Sequence, residues 1–222
     1  MLPILFNEIT SATLETLYMV FTSTCLAVLF GLPLGTWVFI TAQIKPHPAL
    51  NTVLNSIINI TRSVPFIILL VALIPITRLI VGTSIGVHAA IIPLSLGAIP
   101  FFARLTDNAY QRLPRGLLDT GCSMGASTLQ MIKNILLPEA KPALIQATTL
   151  TAVTLVNYSA MAGTVGGGGL GDLAIRYGYQ RFDSTVMFIT VALLVLLVQL
   201  TQWVGDAWTA SIERRESKCV SS

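Results

Sequence analysis

The chain has 222 residues, of which 54% are hydrophobic and only 10% are charged, and its formal net charge is +3. Because about a quarter of the residues in a soluble domain are charged, this composition excludes an ordinary soluble protein and indicates a protein built for lipid. The small net charge does not indicate nucleic-acid binding.

Five hydrophobic stretches follow one another along the chain, and four of them contain no acidic or basic residue. A bilayer core of about 30 Å needs about 20 helical residues to cross it, and each stretch reaches that length. We therefore predict a single all-α membrane domain over residues 1–222, with five transmembrane helices at about 12–42, 50–76, 85–107, 141–163 and 183–211.

The basic residues predict how these helices are oriented. Five spans place the termini on opposite sides of the membrane. An external N-terminus puts nine basic residues in the cytoplasm (Lys45, Arg104, Arg112, Arg115, Lys133, Lys141, Arg214, Arg215 and Lys218) and three outside (Arg78, Arg176 and Arg181). Since Lys and Arg are in excess in cytoplasmic loops, we predict an external N-terminus and a cytoplasmic C-terminus. The first residues lack the pattern of a cleaved signal peptide.

Helix-breaking residues interrupt three of the predicted spans. In the first, Gly31 and Gly35 flank Pro33, which allows either close contact with another helix or a kink. The second is broken by Ser-Val-Pro at 63–65, and the third contains two prolines. Prolines at membrane depth are tolerated where neighbouring helices satisfy the freed carbonyls, and they indicate a bundle whose parts move.

The segment 108–140, which this topology places in the cytoplasm, has the pattern of two short helices. Pro114 suits the first turn of the first helix, and Gly125 suits its C-terminal end, where positive φ is needed. Ser127 begins a capping-box pattern that opens the second helix, and Pro138 is expected to end it. Two interpretations remain open: a connector lying on the lipid headgroups, or a surface for a partner, since connections are usually only a few residues long.

The same segment resembles the cytoplasmic loop shared by permease subunits of bacterial ABC importers. Ile135, Leu137 and Pro138 follow Gly125 at offsets of ten, twelve and thirteen residues. The family pattern begins Glu-Ala-Ala six residues before the glycine, and here only the acidic charge is kept. The resemblance implies ATPase-coupling contacts by Asp119, Gly121, Met124, Gly125, Ala126, Ile135, Leu137 and Pro138.

Four further stretches, at 62–70, 80–86, 137–140 and 158–161, resemble the methionine importer permeases of that family, and the similarity covers about residues 12–210. It implies a homodimer in the bacterial inner membrane, two ATP-binding subunits on the cytoplasmic side and a substrate-binding lipoprotein outside. It also implies import of methionine, in both L- and D-forms, with another amino acid or small solute as the alternative. ATP and Mg²⁺ would bind the partner ATPase, and this chain would bind no cofactor.

Other motifs do not indicate chemistry within this chain. Gly166, Gly168 and Gly171 have the spacing of a dinucleotide site, but they follow a membrane helix rather than a strand. No phosphate-binding Gly-x-x-x-x-Gly-Lys-Ser/Thr loop is present in the sequence. His47 and His88 have no ligand neighbours at metal-site spacing. Three cysteines predicted inside the membrane or cytoplasm imply no disulfide framework; they are Cys25, Cys122 and Cys219.

Two groups of residues are candidates for the translocation path. Thr151, Thr154, Tyr158 and Met161 have helical spacing in the fourth span, with Asn157 close by. They either line the path or are ordinary core residues, because threonines often bond to their own helix and methionine fills gaps.

Arg62 interrupts the second span, where a central arginine costs about 2.5–3.5 kcal/mol. Its side chain either extends to the inner headgroups or packs against a carbonyl between helices, or it acts at the inner mouth of the path.

Two other functions compete with an importer subunit. A self-sufficient secondary transporter needs ionisable residues at mid-membrane, and apart from Arg62 the predicted spans offer none there. A membrane enzyme needs a convergent nucleophile and base, a metal cluster or a carboxylate pair, and no such pattern is found. We therefore predict a non-enzymatic permease subunit.

Overall fold

The computed structural model describes residues 2–220, with side chains described from 7 to 212. The predicted cytoplasmic residues Arg214, Arg215, Lys218 and Cys219 therefore lie outside the described side chains. Within the described range the chain forms helices and turns without a strand, which confirms the all-α prediction. The helices are α1 (Leu2–Phe39), α2 (Pro48–Ser63), α3 (Phe66–Ala72), α4 (Ile74–Val81), α5 (Val87–Gln111), α6 (Arg115–Ser123), α7 (Thr128–Met131), α8 (Leu137–Glu139), α9 (Lys141–Gly163), α10 (Gly169–Leu173) and α11 (Ser184–Val220).

Three π-helical segments connect or extend these helices, at Ile40–Ile44, Ile132–Leu136 and Ala174–Tyr179. The first continues α1, the second joins α7 to α8, and the third follows α10. Each lets the helical path continue while its hydrogen-bond register shifts by one residue.

Three helical stretches of the described chain are long and apolar enough to cross a bilayer: Asn7–Ile44, Val87–Gln111 and Ser184–Ile212. α2 and α3 meet the same test only together, as a pair bent by 100°. α9 has 23 residues but is less apolar, because it contains four threonines together with Asn157 and Tyr158. The count of five spans and their orientation therefore stay predictions.

The predicted second helix, at about 50–76, is corrected to three separate helices. α2 ends at Ser63 because Pro65 cannot donate a backbone hydrogen bond and favours an extended conformation at Val64. Val64 has φ −81° and ψ 125°, as expected. α3 then leaves at 100° and is followed by α4, which ends at Gly82 with φ 81°. The break thus lies at the predicted residues, but it redirects the chain.

α1 and α5 pack closely in the centre of the fold. α1 runs as a helix through Pro33, and Gly31 and Gly35 both face α5. A Cβ atom on Gly31 would lie 2.8 Å from the carbonyl oxygen of Ile99, and one on Gly35 would overlap the carbonyl oxygen of Ala103. The glycines therefore provide close helix contact, the first of the two roles left open by the sequence.

Replacing Gly35 with alanine is expected to destabilise the protein by about 1–3 kcal/mol, the usual cost of overpacking. The added methyl group would meet backbone and Cβ atoms of α5, which cannot rotate away. The matched control is Gly97→Ala in α5, where the new methyl group would lie 3.4 Å from the nearest side-chain atom. Thermal unfolding of each purified variant measures its stability relative to the wild-type permease. Equal unfolding temperatures would contradict the close contact.

The core joins α1, α5 and α9. Its fully buried apolar side chains include Met19, Leu94, Phe102, Leu155 and Ala162. α11 packs against α9, and most of its remaining surface is exposed and apolar, including Phe188 and Trp203. An apolar outer surface suits a helix in lipid. The core therefore fixes α9, which carries the candidate path residues other than Arg62 of α2.

Candidate functional site

The helix α6 ends in a Schellman motif, as the position of Gly125 predicts. The N–H of Ala126 donates to the carbonyl oxygen of Gly121 at 3.0 Å, and the N–H of Gly125 donates to that of Cys122 at 3.0 Å. Gly125 has φ 71°, a conformation that glycine adopts without strain. Pro114 precedes the first residue of α6 rather than lying in its first turn. The two short helices predicted on either side of Gly125 are therefore present. We call this segment the elbow, and its parts before and after Gly125 the two arms.

The next helix begins with the predicted capping box. Ser127 Oγ accepts from the N–H of Gln130 at 3.4 Å, and Gln130 Oε1 accepts from the N–H of Ser127 at 2.8 Å. These bonds satisfy two backbone donors at the start of α7. The elbow is therefore held by hydrogen bonds on both sides of Gly125.

Gly121 is where the two arms of the elbow touch. It is buried, and a Cβ atom there would overlap Met131 Sδ and lie 2.8 Å from Ile135 Cδ1. The family pattern that this segment resembles has alanine at this position, and the packing here leaves no space for the methyl group of an alanine. Met131 was not predicted, although its apolar side chain follows Ser127 at helical spacing. The elbow is thus a packed joint.

Pro138 does not end the second arm, which corrects the prediction. The N–H of Leu137 donates to the carbonyl oxygen of Ile132, closing the π-helical turn. α8 then starts at Leu137, and Pro138 lies in its first turn. Proline is tolerated there because first-turn N–H groups have no intrahelical partner. The chain continues through Ala140 into α9, so the second arm is joined to a helix of the core.

A buried cluster fastens this segment to the helix bundle. Leu136 and Tyr110 are fully buried, and Phe39 is 1% exposed. The Phe39 and Tyr110 ring centroids are 5.4 Å apart, and the Tyr110 hydroxyl lies 3.2 Å from Thr36 Oγ1. Sequence reasoning missed Leu136, because its partners lie on α1 and α5, far away in the chain. The segment is therefore packed against the C-terminal ends of α1 and α5.

The tip of the elbow carries exposed apolar side chains. Met124 is 81% exposed and Leu129 is 72% exposed. Asp119 is also exposed, and its carbonyl oxygen accepts a 2.8 Å hydrogen bond from Ser123 Oγ. Exposed apolar side chains rimmed by polar ones are typical of protein contact sites. Of the remaining predicted residues, Ala126, Ile135 and Leu137 are half-buried and Pro138 is exposed.

The candidate path residues of α9 do not share one environment. Thr151 is fully buried, and its hydroxyl donates to the carbonyl oxygen of Ala147 at 2.8 Å. Thr154 is half-buried and bonds back to Leu150 in the same way. Asn157 and Met161 are exposed, Met161 by 46%. The open face of α9 is therefore carried by Asn157 and Met161, with Thr154 beside them.

Tyr158 and Arg62 belong to a second feature, a recess at the bend between α2 and α3. The ring of Tyr158 stacks on Phe66 with centroids 4.2 Å apart and planes 1° from parallel. The Arg62 guanidinium carbon lies 5.9 Å from the centroid of the Phe101 ring. Arg62 and Tyr158 line one cavity of about 180 Å³. Two predicted residues from distant parts of the chain thus line the same cavity.

The glycine-rich segment after α9 is ordered by contacts with α1. Gly166, Gly168 and Gly169 all have positive φ. Glu15 Oε2 accepts from the N–H of Gly169 at 2.8 Å, and Thr16 Oγ1 accepts from the N–H of Leu170 at 2.9 Å. Sequence reasoning missed both partners, although an acidic residue at the edge of an apolar span was a usable signal. Gly168 and Gly169 therefore fold tightly against α1, and Gly166 lies against Ile85.

Comparison with known proteins defines the class. The profile of the family described as binding-protein-dependent transport system inner membrane component matches residues 27–218. The chain belongs to this family of multi-pass inner membrane proteins, which confirms the resemblance drawn from the segment 108–140.

The individual relatives of this chain are named as methionine transport permeases. The chain is 51% identical over 207 residues to a probable D-methionine transport system permease protein MetI of Vibrio cholerae, covering 92% of each protein. It is 50% identical over 151 residues to the D-methionine transport system permease protein MetI of Escherichia coli, covering 67% of this chain and 70% of that one. The methionine import system permease protein MetP of Bacillus subtilis is 39% identical over 211 residues, covering 94% and 95%.

Solved structures have the same fold. An inward-facing crystal form of the MetNI methionine ABC transporter matches with a TM-score of 0.92 at 46% identity, covering 95% of this chain and 98% of that one. An amino acid ABC transporter crystallised with histidines matches with a TM-score of 0.71 at 19% identity, covering 95% and 94%. The second match is a likeness of fold alone.

Proposed function

We propose that this chain is the permease subunit of an ATP-driven importer that carries methionine, in its L- and D-forms, across the inner membrane. The observation that supports this best is the packed elbow at Gly121 and Gly125. It presents exposed apolar side chains at its tip and is joined by buried contacts to α1, α5 and α9. Similarity to methionine permeases over 92% of the chain supports the substrate.

The proposed assembly is a homodimer with five spans per subunit, an external N-terminus and a cytoplasmic C-terminus. A single chain with so few spans can hardly enclose a path, and two-fold dimers are the commonest symmetric assembly. Two ATP-binding subunits, holding ATP and Mg²⁺, would bind the elbows on the cytoplasmic side. A substrate-binding lipoprotein would deliver the amino acid outside.

In this proposal the elbow transmits the closure of the ATPase subunits. Met124 and the residues around Gly125 contact the ATPase, and the joint at Gly121 keeps the two arms at a fixed angle. Leu136 passes the displacement to Phe39 and Tyr110, and α8 passes it to α9. ATP binding then favours one of two bundle conformations through its differential affinity.

The open face of α9 is the part of the chain proposed to line the path, with Thr154, Asn157 and Met161 upon it. Thr151 lies behind this face in the core, where its hydroxyl is satisfied by its own helix. Its proposed role is to position the helix, whereas Met161 is proposed to contact substrate near a gate.

Met161→Ala is expected to change the coupling between uptake and ATP hydrolysis at least about threefold, with little loss of stability because the side chain is 46% exposed. Uptake of labelled methionine and ATPase activity in proteoliposomes measure this ratio. Leu200→Ala in α11 is the matched control, since Leu200 is 49% exposed on a surface assigned to lipid. Unchanged uptake and unchanged coupling would remove Met161 from the path.

Uptake of labelled methionine by cells that lack this gene tests the proposed function. We expect uptake to fall and to return when the gene is restored on a plasmid. Competition by unlabelled amino acids separates methionine from the alternative substrates, another amino acid or a related small solute. Undiminished methionine uptake in cells without any second methionine importer would contradict the proposal.

A further inference from the structure

Arg62 is an exposed cation at the end of α2. Among the described side chains it forms no ion pair and no hydrogen bond, and its guanidinium group lies beside the Phe101 ring. The arginine of α5 that faces α2, Arg104, is satisfied: it pairs with Asp107 at 3.3 Å and donates to Asn59 Oδ1 at 2.8 Å. The fold therefore gives the Arg104 guanidinium group an acidic partner, and it leaves the Arg62 guanidinium group open, without a hydrogen-bond or ion-pair partner.

An open guanidinium is suited to binding a carboxylate. Its N–H donors lie in one plane, and two of them match the two oxygens of a carboxylate. Arg62 lies in the last turn of α2, where the free carbonyl groups favour a cation. The bend at Val64 and Pro65 turns α3 away by 100°, which leaves room in front of this helix end. The charge is therefore held beside a space large enough for a ligand.

Most of the other residues around that space are apolar or aromatic. The cavity of about 180 Å³ is bounded by Arg62 and Thr61, and further by Val64, Phe66, Leu69, Gly97, Phe101 and Tyr158. The stacked Phe66 and Tyr158 rings make a double aromatic wall, and Gly97 keeps the floor open because it has no side chain. A cavity of about 150 Å³ holds a benzene molecule, so this one has room for the side chain of a small apolar amino acid.

We propose that this recess binds the transported amino acid inside the permease, with Arg62 holding its carboxylate and the Phe66–Tyr158 pair contacting its side chain. This inference rests on the proposed function and adds a substrate site to it. A thioether side chain is well suited, because sulfur makes favourable contacts with aromatic rings. A lipid phosphate offers the guanidinium a similar anionic group, but it has no side chain to place against the aromatic wall.

Binding of labelled L-methionine to the purified permease–ATPase complex tests the site. The complex is held in nanodiscs of zwitterionic phosphatidylcholine, and binding is measured by equilibrium dialysis. We expect Arg62→Gln to weaken binding at least about tenfold, because a charge-assisted hydrogen bond is lost. The affinity of Arg62→Lys for methionine should lie between those of the wild type and of Arg62→Gln. The control Arg78→Gln, whose side chain bonds to Ser84 near the proposed outer surface, should bind as the wild type does.

Competition by methioninol separates a carboxylate contact from a structural role of Arg62. Methioninol lacks the carboxylate, so it should compete at least about tenfold less well than methionine for the wild-type complex. In Arg62→Gln the two competitors should become equal. Adding anionic lipid to the nanodiscs should leave methionine binding unchanged. Loss of methionine binding on that addition would identify a lipid phosphate as the occupant and overturn the proposal.

A second pair of variants tests the apolar wall without touching the charge. Gly97→Leu fills the recess and should reduce methionine binding and uptake at least about tenfold. Gly97→Ala adds one carbon atom, which meets its neighbours at ordinary contact distance, and should reduce both by less. Wild-type-like binding by Arg62→Gln and Gly97→Leu, in complexes that transport methionine, would overturn this site alone. Failure of the wild-type complex to bind or transport methionine would overturn the proposed function as well.

Discussion

Replacing Gly121 with leucine is expected to reduce ATP-driven methionine uptake more than tenfold while the membrane helices remain folded. The new side chain would enter the space of Met131 and Ile135, whose atoms already lie within contact distance of a Cβ atom at this position. Relief requires the two arms of the elbow to separate, and overpacking of this kind costs about 1–3 kcal/mol. Uptake and ATPase activity in proteoliposomes measure the loss of coupling.

Gly116→Leu is the matched control, because Gly116 lies in the same helix, α6, and a Cβ atom there meets nothing within 4 Å. A glycine in a helix is about 1 kcal/mol less favourable than a good helix former, so this variant should be as stable as the wild type or more stable. It should keep most of the uptake. If Gly121→Leu transports as well as Gly116→Leu, the packed joint is not needed for coupling.

Replacing Gly125 with arginine is expected to abolish uptake by displacing the ATPase from the elbow. The residue has φ 71°, which costs a residue other than glycine about 1–2 kcal/mol. Within this chain a side chain there meets nothing within 4 Å. Any effect beyond the backbone cost must therefore come from a partner that covers the position. Co-purification of the ATPase with the permease, measured beside uptake, reports that loss directly.

Gly125→Ala separates the backbone cost from the bulk of the side chain. Alanine adopts the same φ with about the same strain as arginine but adds one carbon atom, so it should retain the ATPase and more than half of the uptake. A Gly125→Arg protein that binds its ATPase and transports normally would show that the elbow is not the coupling site.

Several elements of the segment 108–140 could be predicted because they depend on neighbouring residues alone. The capping box at Ser127 and the positive φ at Gly125 follow from side-chain and backbone preferences within four or five residues. The break at Ser63-Val-Pro65 follows from the missing N–H of proline. The rule that a proline ends a helix gave a wrong prediction at Pro138, because the π-helical turn before it shifts the hydrogen-bond register.

The contacts that give the candidate sites their shape could not be predicted, because each joins residues far apart in the chain. Leu136 meets Phe39 and Tyr110 only after α1, α5 and α8 have packed together. Local sequence preferences predict which face of a helix is exposed and which is buried, but they do not predict which residues pack against the buried face.

The sequence by itself determined that this is an apolar, helical membrane protein of the importer permease class with a capped, glycine-centred elbow, since composition, hydrophobic length and capping act locally. Only the tertiary structure decided the 100° turn after α2 and the placing of Tyr158 beside Arg62. The direction of a broken helix is set by what it packs against. Arg62 meets Phe101 through the packing of α2 on α5, and it shares a cavity with Tyr158 through the packing of α3 on α5 and α9.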